Sequence, residues 1–356
     1  MPPLVNTDLV ERIRAADDPE QSGLWPSSRL QCLRDAGVFR WGLPTETGGR
    51  DETAADLLCG YIDLARICLT TAFVMTQRDA ACHRIAASKN RELRHSLLPD
   101  LSTGRLFATV GISHLSTSRQ HWSKPSVVAI RTPHGFELSG EAPWVTGATH
   151  ANLLVTGGTL ENGDQIIAVV PRDRAGVQIA PPLELLALNA SCTGTVILDH
   201  VAISADEIVA GPIPQVMKVG ATGGTGSLTT SAVALGAAGH TIDGLQSEAE
   251  RRPDLQSLVD SLARERDDLR ADLVVAVTDP KSEDERRIQA EQFRFRSNSI
   301  AMRAAQAYVC CAKGAGFVSG HPAERALRES LFFQVWSCPP AVTSQTLSKL
   351  AVAEVQ

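Results

Sequence analysis

The period of the hydrophobic pattern changes twice along the chain, and this double change limits the folds that the chain can adopt. Up to about residue 106, apolar residues recur at helical spacing. From about residue 107 to residue 211, short alternating runs bounded by Gly, Pro, Asn or Asp indicate strands and turns. Helical spacing then returns and lasts to residue 356. The sequence therefore predicts an α+β protein with three units, at residues 1–106, 107–211 and 212–356.

Within these units the predicted elements are short in the middle and long at both ends. The first unit includes an apolar helical stretch at residues 54–75 and a helix at residues 92–98 that ends before Pro99. The last unit reads as the long antiparallel helices of a bundle. Alternating runs predict that the middle unit is an antiparallel barrel or sandwich. Its strands are expected at residues 126–132, 135–139, 151–157, 165–170 and 193–203.

Composition excludes several classes of function. The chain has 356 residues, 43% of them hydrophobic and 21% charged, which is ordinary for a globular protein. A net charge of -6 without a basic stripe argues against a nucleic-acid partner. No apolar run approaches the roughly 20 residues that a membrane-spanning helix needs. Because the N-terminus also lacks a basic and then apolar signal, we expect a cytoplasmic protein with no membrane span.

The cysteine pattern predicts neither a metal site nor disulfides. Eight cysteines are present, and none of them forms the C-x-x-C pairs that are typical of zinc sites. Most of them lie inside apolar patterns. They are therefore predicted to be reduced, buried, small hydrophobic residues.

The stretch at residues 135–158 (GFELSGEAPWVTGATHANLLVTGG) places an indole and a hydroxyl close together at a predicted sheet edge. Two alternating segments flank Trp144 and Thr146 there. Such a pair could face a bound aromatic ligand. Alternatively, Trp144 could fill a core and Thr146 could be an ordinary strand residue, and the residues alone leave both interpretations open.

Several stretches, in the same order along most of the chain, resemble landmarks of the acyl-CoA dehydrogenase superfamily. Near the N-terminus, AGVF followed by LP and GG resembles A-G-hydrophobic…P-x-x-x-G-G. SGEAPWVT resembles N-G-x-K-x-W-I-T, and VVPRDRAGV resembles V-P-x-D-x-P-G-V. VAISADEIVAG resembles V-P-x-E-N-L-L-G, and GAGF with PAERALRE resembles G-x-G-Y…P-x-E-R-x-x-R-D. These stretches lie at residues 36–49, 139–146, 169–177, 201–211, 314–317 and 322–329.

This resemblance implies an N-terminal helical domain, a central antiparallel β-barrel and a C-terminal helical bundle. It also implies FAD bound between barrel and bundle, a homodimer or homotetramer, and a small-molecule substrate such as an acyl-CoA. In the family pattern, Trp144 supplies a wall for the flavin ring and Thr146 supplies a hydrogen bond near its N5 atom. Ser113 stands where the family has a Thr hydroxyl that touches the flavin.

The chain departs from the family at the catalytic base. Dehydrogenation of an acyl thioester needs a carboxylate near the α-carbon, which the main branch supplies from a Y-E-G-T motif. The corresponding residues 333–340 (FQVWSCPP) hold no carboxylate, and Ser337 or Cys338 occupies the place. Some members of the family carry the base on an earlier helix. Here that helix offers several titratable residues, none singled out by its spacing: His240, Asp243, Glu248 and Glu250.

The family segment through which a partner subunit holds FAD is also missing, which leaves FMN or a reduced flavin open as the cofactor. Three hypotheses follow. The first is an acyl-CoA dehydrogenase-like flavoenzyme with a relocated base, served by an electron-transfer flavoprotein. The second is a flavin-dependent monooxygenase fed by a flavin reductase, with His83, His114 or Ser113 beside the flavin. The third is a non-catalytic binding or scaffold protein.

Overall fold

A computed structural model describes residues 3–116, 125–218, 227–279 and 282–351. The first hundred residues are helical, and side-chain caps begin several of the helices. Asn6, Asp18, Thr53 and Asn90 each accept a hydrogen bond from a backbone N–H of the first turn, which satisfies a donor that has no partner inside the helix. The helices are α1 (Thr7–Ala15), α2 (Pro19–Ser22), α3 (Ser27–Asp35), α4 (Ala54–Ile67), α5 (Leu69–Ala86) and α6 (Arg91–Thr103).

Helix α6 runs through Pro99, so the predicted end before this proline is wrong. A proline inside a helix costs about 3 kcal/mol, because it removes one backbone hydrogen bond and crowds the preceding turn. Leu98 and Leu101 lie on either side of Pro99 and are both fully buried. Burying two leucine side chains contributes about 3–6 kcal/mol, which is enough to hold the last turn in place.

The middle of the chain forms one eight-stranded sheet with the order β6-β7-β3-β2-β4-β5-β8, and β1 also pairs with β4. Most pairings are antiparallel, as predicted. The exceptions are β1 with β4 and the single contact of β2 with β4, which are parallel and make the sheet mixed. The strands are β1 (Ala108–Gly111), β2 (Val127–Thr132), β3 (Gly135–Val145), β4 (Leu153–Thr159), β5 (Gln165–Pro171), β6 (Val177–Ile179), β7 (Gly194–Ser204) and β8 (Ile208–Ile213).

Strands β4 and β5 are buried on both faces of the sheet. Leu154 and Ile166 face an apolar cluster inside the sheet. Leu153 and Ile167 face the opposite way, into a cluster shared with helices α5 and α6. Successive side chains of a strand point to opposite faces, so a strand with both faces covered reads as a continuous apolar run. Residues 153–155 and 166–170 have this property.

The C-terminal third is again helical and packs on the N-terminal helices. Helix α7 lies so close to α4 that a Cβ on Gly236 would be 2.3 Å from the carbonyl oxygen of Ile62. One apolar cluster includes residues from both helical regions. The helices are α7 (Leu228–Ala249), α8 (Gln256–Thr278), α9 (Glu283–Ala312), α10 (Pro322–Val335) and α11 (Pro340–Ala351).

The predicted architecture of N-terminal helices, a central β unit and a C-terminal helical bundle is confirmed. Its correction is the two parallel contacts within the sheet. Hydrophobic alternation records which face of a strand is buried, and it carries no signal for strand direction. None of the helices in the described ranges combines the length and the apolar character that crossing a bilayer requires.

Candidate functional site

Strand β3 contains an irregularity that turns Trp144 outward. The pairing of β3 with β7 shifts register between Ala142 and Val145. At this point Trp144 has a φ of 60°, and its side chain is 52% exposed. A positive φ is strained for a bulky aromatic residue, and bulges of this kind redirect a side chain. Trp144 is therefore not a core residue, and the fold holds its indole on the surface.

A chain of hydroxyl groups supports the residue that follows the irregularity. Thr146 is 2% exposed, and its Oγ1 shares a hydrogen bond of 2.9 Å with Thr193 Oγ1. Thr193 in turn shares a 2.8 Å hydrogen bond with Ser191 Oγ. Thr109 of β1 donates its hydroxyl to the Thr146 carbonyl oxygen at 2.7 Å. These bonds fix the backbone on the C-terminal side of Trp144.

Ser113 fixes the backbone on the other side. It lies in a short 3₁₀ turn after β1, and its hydroxyl donates to the Pro143 carbonyl oxygen at 2.9 Å. The strands approach closely here, since a Cβ on Gly111 would be 2.8 Å from a methyl carbon of Val145. The structure thus brings Ser113, Trp144 and Thr146 together around one strained point. Their role in holding a cofactor stays a prediction.

His114 follows Ser113 but faces the sheet. The residue is buried, and its Nε2 lies 2.9 Å from the Gly157 carbonyl oxygen. Because a carbonyl only accepts, Nε2 carries the proton of this hydrogen bond. The ring is therefore tied to β4.

His83 lies in a different environment, among the N-terminal helices. Its buried Nε2 has no hydrogen-bond partner among the described residues, and it would be 2.7 Å from a Cβ on Gly42. Burial lowers the pKa of His83, against an opposing effect of Asp79, so the ring is held neutral. Its surroundings belong to the core of the helical region.

Ser337 and Cys338 lie between α10 and α11. Ser337 has a φ of 48°, and the Cys338 sulfur accepts a hydrogen bond from the Thr343 hydroxyl at 3.6 Å. An interaction with this thiol also opposes the decrease that burial causes in the pKa of Arg294. The region therefore presents a thiol and a cation where the resemblance led us to look for a carboxylate.

Two of the residues on the earlier helix are already engaged. Arg66 holds Asp243 with two hydrogen bonds of 2.6 and 2.7 Å. His240 Nδ1 lies 3.0 Å from the Arg66 carbonyl oxygen. A carboxylate held by a two-pronged guanidinium is a poor proton acceptor, so Asp243 does not have the surroundings of a general base.

Comparisons with known proteins agree with this architecture, although no family model matches the chain. "Probable acyl-CoA dehydrogenase YngJ" of Bacillus subtilis (strain 168) is 21% identical over 340 residues, which cover 90% of this chain and 88% of that protein. The solved structure of butyryl-CoA dehydrogenase from Megasphaera elsdenii superimposes with a TM-score of 0.81 at 13% identity, covering 98% of this chain and 94% of that one. The chain thus has the acyl-CoA dehydrogenase fold and is similar in sequence to proteins named as acyl-CoA dehydrogenases.

A protein with the same fold can have an activity other than that of an acyl-CoA dehydrogenase. The dibenzothiophene monooxygenase TdsC from Paenibacillus sp. A11-2, solved with FMN and indole, superimposes with a TM-score of 0.81 at 16% identity. The alignment covers 96% of this chain and 94% of that one. The shared fold therefore defines the architecture and leaves the reaction to be decided by the residues of the site.

Sequence reasoning missed Glu20 of α2. Burial raises the pKa of Glu20, with a further contribution from Glu329, although the hydrogen bond from Thr70 opposes the rise. That bond joins the Thr70 hydroxyl to Glu20 Oε1 at 2.6 Å. Helix α2 also contacts the turn that carries Ser191 of the hydroxyl chain. No motif marked Glu20, because its surroundings come from residues distant in sequence.

Proposed function

We propose that this chain is a flavin-dependent oxidoreductase that oxidises a CH–CH bond of an acyl thioester or a related substrate, with FAD as its cofactor. The exposed, strained Trp144 is the observation that carries the proposal. A side chain that is held in an unfavourable backbone conformation and left open to solvent has no role in the core. It is suited to stack on a flat ligand.

The residues around Trp144 fit a flavin in their chemistry. The indole offers an apolar face for a fused ring. Thr146 uses one hydrogen bond to Thr193, and a hydroxyl can take part in three. Ser113 and Thr146 hold the backbone before and after the indole, so both also position it. When bound, a flavin supplies the hydride acceptor for such an oxidation.

The chain must supply the proton acceptor, and Glu20 is the residue that we propose for this role. A carboxylate whose pKa is raised by burial is suited to act as a general base near neutral pH. Glu20 has this property, whereas Asp243 is held by Arg66. The helix that carries Glu20 contacts the turn with Ser191, which belongs to the hydroxyl chain that supports Thr146.

The absorbance spectrum of the purified protein, with and without added FAD, tests the flavin proposal. Trp144→Ala should weaken flavin binding at least tenfold with little change in stability. Ile130→Ala is the control, since Ile130 is also an apolar side chain of the sheet with 53% exposure. Equal loss of flavin binding and stability in Trp144→Ala would count against a wall role. If the protein is colourless and added FAD changes neither its absorbance nor its melting temperature, the non-catalytic alternative is favoured.

Anaerobic reduction by an acyl-CoA tests the reaction. Glu20→Gln keeps an acceptor for the Thr70 hydroxyl but cannot take up a proton, so we expect the bleaching rate to fall about 10²-fold or more. Flavin affinity should stay unchanged. Glu184→Gln, at an exposed carboxylate of a nearby loop, is the control. If Glu20→Gln is bleached at the normal rate, Glu20 is not the proton acceptor and another residue has this role.

A second candidate function is a flavin-dependent monooxygenase that uses reduced flavin and oxygen. The observation in its favour is the segment at residues 333–340, where no carboxylate is present. The likeness to TdsC, solved with FMN, also supports it. Under this alternative a flavin reductase replaces the electron-transfer flavoprotein as partner. Oxygenation of indole only when reduced FMN or FAD is supplied, followed by mass spectrometry, would favour it.

We also propose that the protein is a cytoplasmic homodimer or homotetramer. All eight cysteines are free thiols, as is usual in a reducing compartment. Exposed apolar side chains on the C-terminal helices, among them Val335 and Leu350, offer surface for association. Light scattering after gel filtration measures the oligomeric state, and cell fractionation measures the location.

A further inference from the structure

Helix α2, which carries Glu20, depends on the carboxylate of Asp18. Asp18 Oδ1 accepts a hydrogen bond from the backbone N–H of Glu20 at 3.1 Å. Its other oxygen, Oδ2, accepts from Nη1 of Arg325 in α10 at 2.7 Å. A helix of four residues is too short to be stable by itself, so contacts with the rest of the protein must hold it. One carboxylate therefore joins the backbone at Glu20 to the C-terminal bundle.

Arg325 binds a second carboxylate with another of its nitrogen atoms. Its Nε donates to Glu329 Oε1 at 2.7 Å, one turn further along α10. Glu329 is buried, and the Arg325 side chain is only 20% exposed. Burial alone would lower the pKa of Arg325, but Glu329 and Asp18 raise it above its ordinary value. The guanidinium is therefore charged and is shared by the two carboxylates.

Glu20 lies within the field of these charges. Burial raises the pKa of Glu20, and the hydrogen bond from Thr70 lowers it. The two carboxylates that Arg325 binds also raise the pKa of Glu20, whereas Arg325 itself lowers it. Arg325 thus acts on Glu20 in two ways, by its own charge and through the anions that it holds.

Arg328 and the turn at Asn189–Ser191 complete the surroundings of Glu20. Arg328 carries the same charge as Arg325 and interacts with Glu20. Its guanidinium, however, is bound to Glu324 in an ion pair within α10. The turn contacts α2 and contains no charged residue. Arg325 is therefore the cation that is tied to the cap of α2.

We propose that Arg325 is a positioning residue for Glu20. By holding Asp18, it fixes the place of α2 relative to the bundle. By holding Glu329 and by its own charge, it sets the pH range in which the Glu20 carboxylate can take up a proton. This role rests on the proposed function of Glu20 as the proton acceptor, and it assigns the control of that function to a residue in a distant segment of the chain.

Two substitutions change the charge around Glu20 in opposite directions. Arg325→Met removes a cation, so the pKa of Glu20 should rise by about one pH unit or more. Asp18→Asn removes an anion but keeps an oxygen acceptor for the N–H of Glu20, so the pKa of Glu20 should fall. If both residues only stabilise α2 mechanically, the two variants should shift this pKa in the same direction.

Nuclear magnetic resonance of the full chain, with carbon-13 at the glutamate carboxyl carbons, measures the titration of Glu20. Its signal is the one that Glu20→Gln removes. Arg296→Met is the control, because Arg296 forms an exposed pair with Asp272 and its loss should leave the titration unchanged. If Arg325→Met does not fold, Arg325→Gln removes the charge but keeps N–H donors and should raise the pKa in the same way. An unchanged pKa without the Arg325 charge, or a shift of the same sign in Asp18→Asn, overturns the proposal.

Hydrogen exchange tests the place of α2 separately. Arg325→Lys keeps the positive charge, but one ammonium group does not reproduce the directed hydrogen bonds of a guanidinium to two carboxylates. The amides of residues 20–23 should therefore exchange at least about fivefold faster in this variant. The pKa of Glu20 should change less than in Arg325→Met. Unchanged exchange would mean that α2 is not held through Arg325.

The pH dependence of anaerobic bleaching separates this proposal from the proposed function. Because only the carboxylate takes up a proton, the bleaching rate should rise with pH through the pKa of Glu20. With an acyl-CoA that bleaches the unmodified protein, the midpoint should move to higher pH in Arg325→Met and to lower pH in Asp18→Asn. If the resonance titrations shift in opposite directions and the bleaching midpoints do not, Arg325 controls Glu20 but Glu20 is not the proton acceptor. If Glu20→Gln stops bleaching while neither titration shifts, Glu20 is the acceptor and Arg325 does not position it.

Discussion

Two arginines in the described part of the molecule are fully buried, and their surroundings differ in one respect. Arg78 of α5 donates to Asp79 at 2.6 Å and to the Phe39 carbonyl oxygen at 3.0 Å. Tyr61 donates its hydroxyl to the same carboxylate. Arg294 of α9 donates to backbone carbonyl oxygens and has no carboxylate partner among the described residues.

Burial lowers the pKa of both guanidinium groups, but the net shift has opposite signs. Burial alone would lower the pKa of Arg78, but Cys82, Asp79 and Tyr61 raise it above its ordinary value. At Arg294, burial has the larger effect and lowers the pKa to about 10. A buried arginine with its own carboxylate is part of the framework. A buried arginine without one is held by neutral carbonyl groups, and its pKa is lowered.

Removing the anion next to Arg78 should have the largest effect. Asp79→Asn leaves a buried guanidinium without its counter-charge, and we expect the free energy of unfolding to fall by about 3–5 kcal/mol. Asp243→Asn is the control, because it breaks a half-exposed pair with Arg66 and should cost about 1 kcal/mol or less. Urea denaturation measures both. Similar losses in the two variants would mean that Arg78 does not depend on its carboxylate.

The pH dependence of stability tests the surroundings of His83, whose pKa is affected by Asp79 and Arg78. Burial lowers the pKa of folded His83, so the unfolded chain binds a proton first as the pH falls below about 6.5. Stability is therefore lost on acidification, with a slope of at most about 1.4 kcal/mol per pH unit. His83→Leu should reduce this slope in urea titrations between pH 7 and pH 5.

The matched control for His83 is His200, whose pKa is shifted in the opposite direction. Exposed His200 bonds to Glu137, which raises the pKa of the histidine. Its contribution to stability is present at low pH and is lost as the pH rises through the raised pKa. His200→Gln should therefore not reduce the acid slope. An unchanged slope in His83→Leu would show that folding does not shift the pKa of His83.

The smallest effect should follow removal of the group beside Arg294. Cys338→Ala leaves the three carbonyl bonds of Arg294 in place, and water can reach the vacated position because Cys338 is partly exposed. We expect a loss of about 1 kcal/mol or less in urea denaturation. A loss equal to that of Asp79→Asn would remove the difference between the two arginines and make Cys338 a structural counter-ion.

Neither arginine could be recognised from the sequence. Sequence patterns report periodicity, and both residues stand in helices, where Arg is an ordinary surface residue. Which Arg is buried depends on packing between distant segments, such as α9 with the chain after α10. Glu20 escaped notice for the same reason, because Thr70 and Glu329 shape its surroundings.

Local patterns did predict the architecture and brought Trp144, Thr146 and Ser113 into view. The double-sided burial of β4 and β5 was not predicted, because these segments were interpreted as alternating runs. The outward turn of Trp144 could not be predicted, because a bulge depends on the register between β3 and β7. The continuation of α6 through Pro99 depends on the burial of its leucines, which a local rule does not include.

The close approach of α7 to α4 at Gly236 has a consequence for how the protein is made. Residues from both ends of the chain complete the same apolar cluster. On the ribosome, the first helices emerge well before α7 and α9 have been synthesised. Their apolar faces stay uncovered until the last third of the chain has been synthesised. Premature termination after the β strands therefore yields a fragment with an unfinished core, and such a fragment is a substrate for chaperones and proteases.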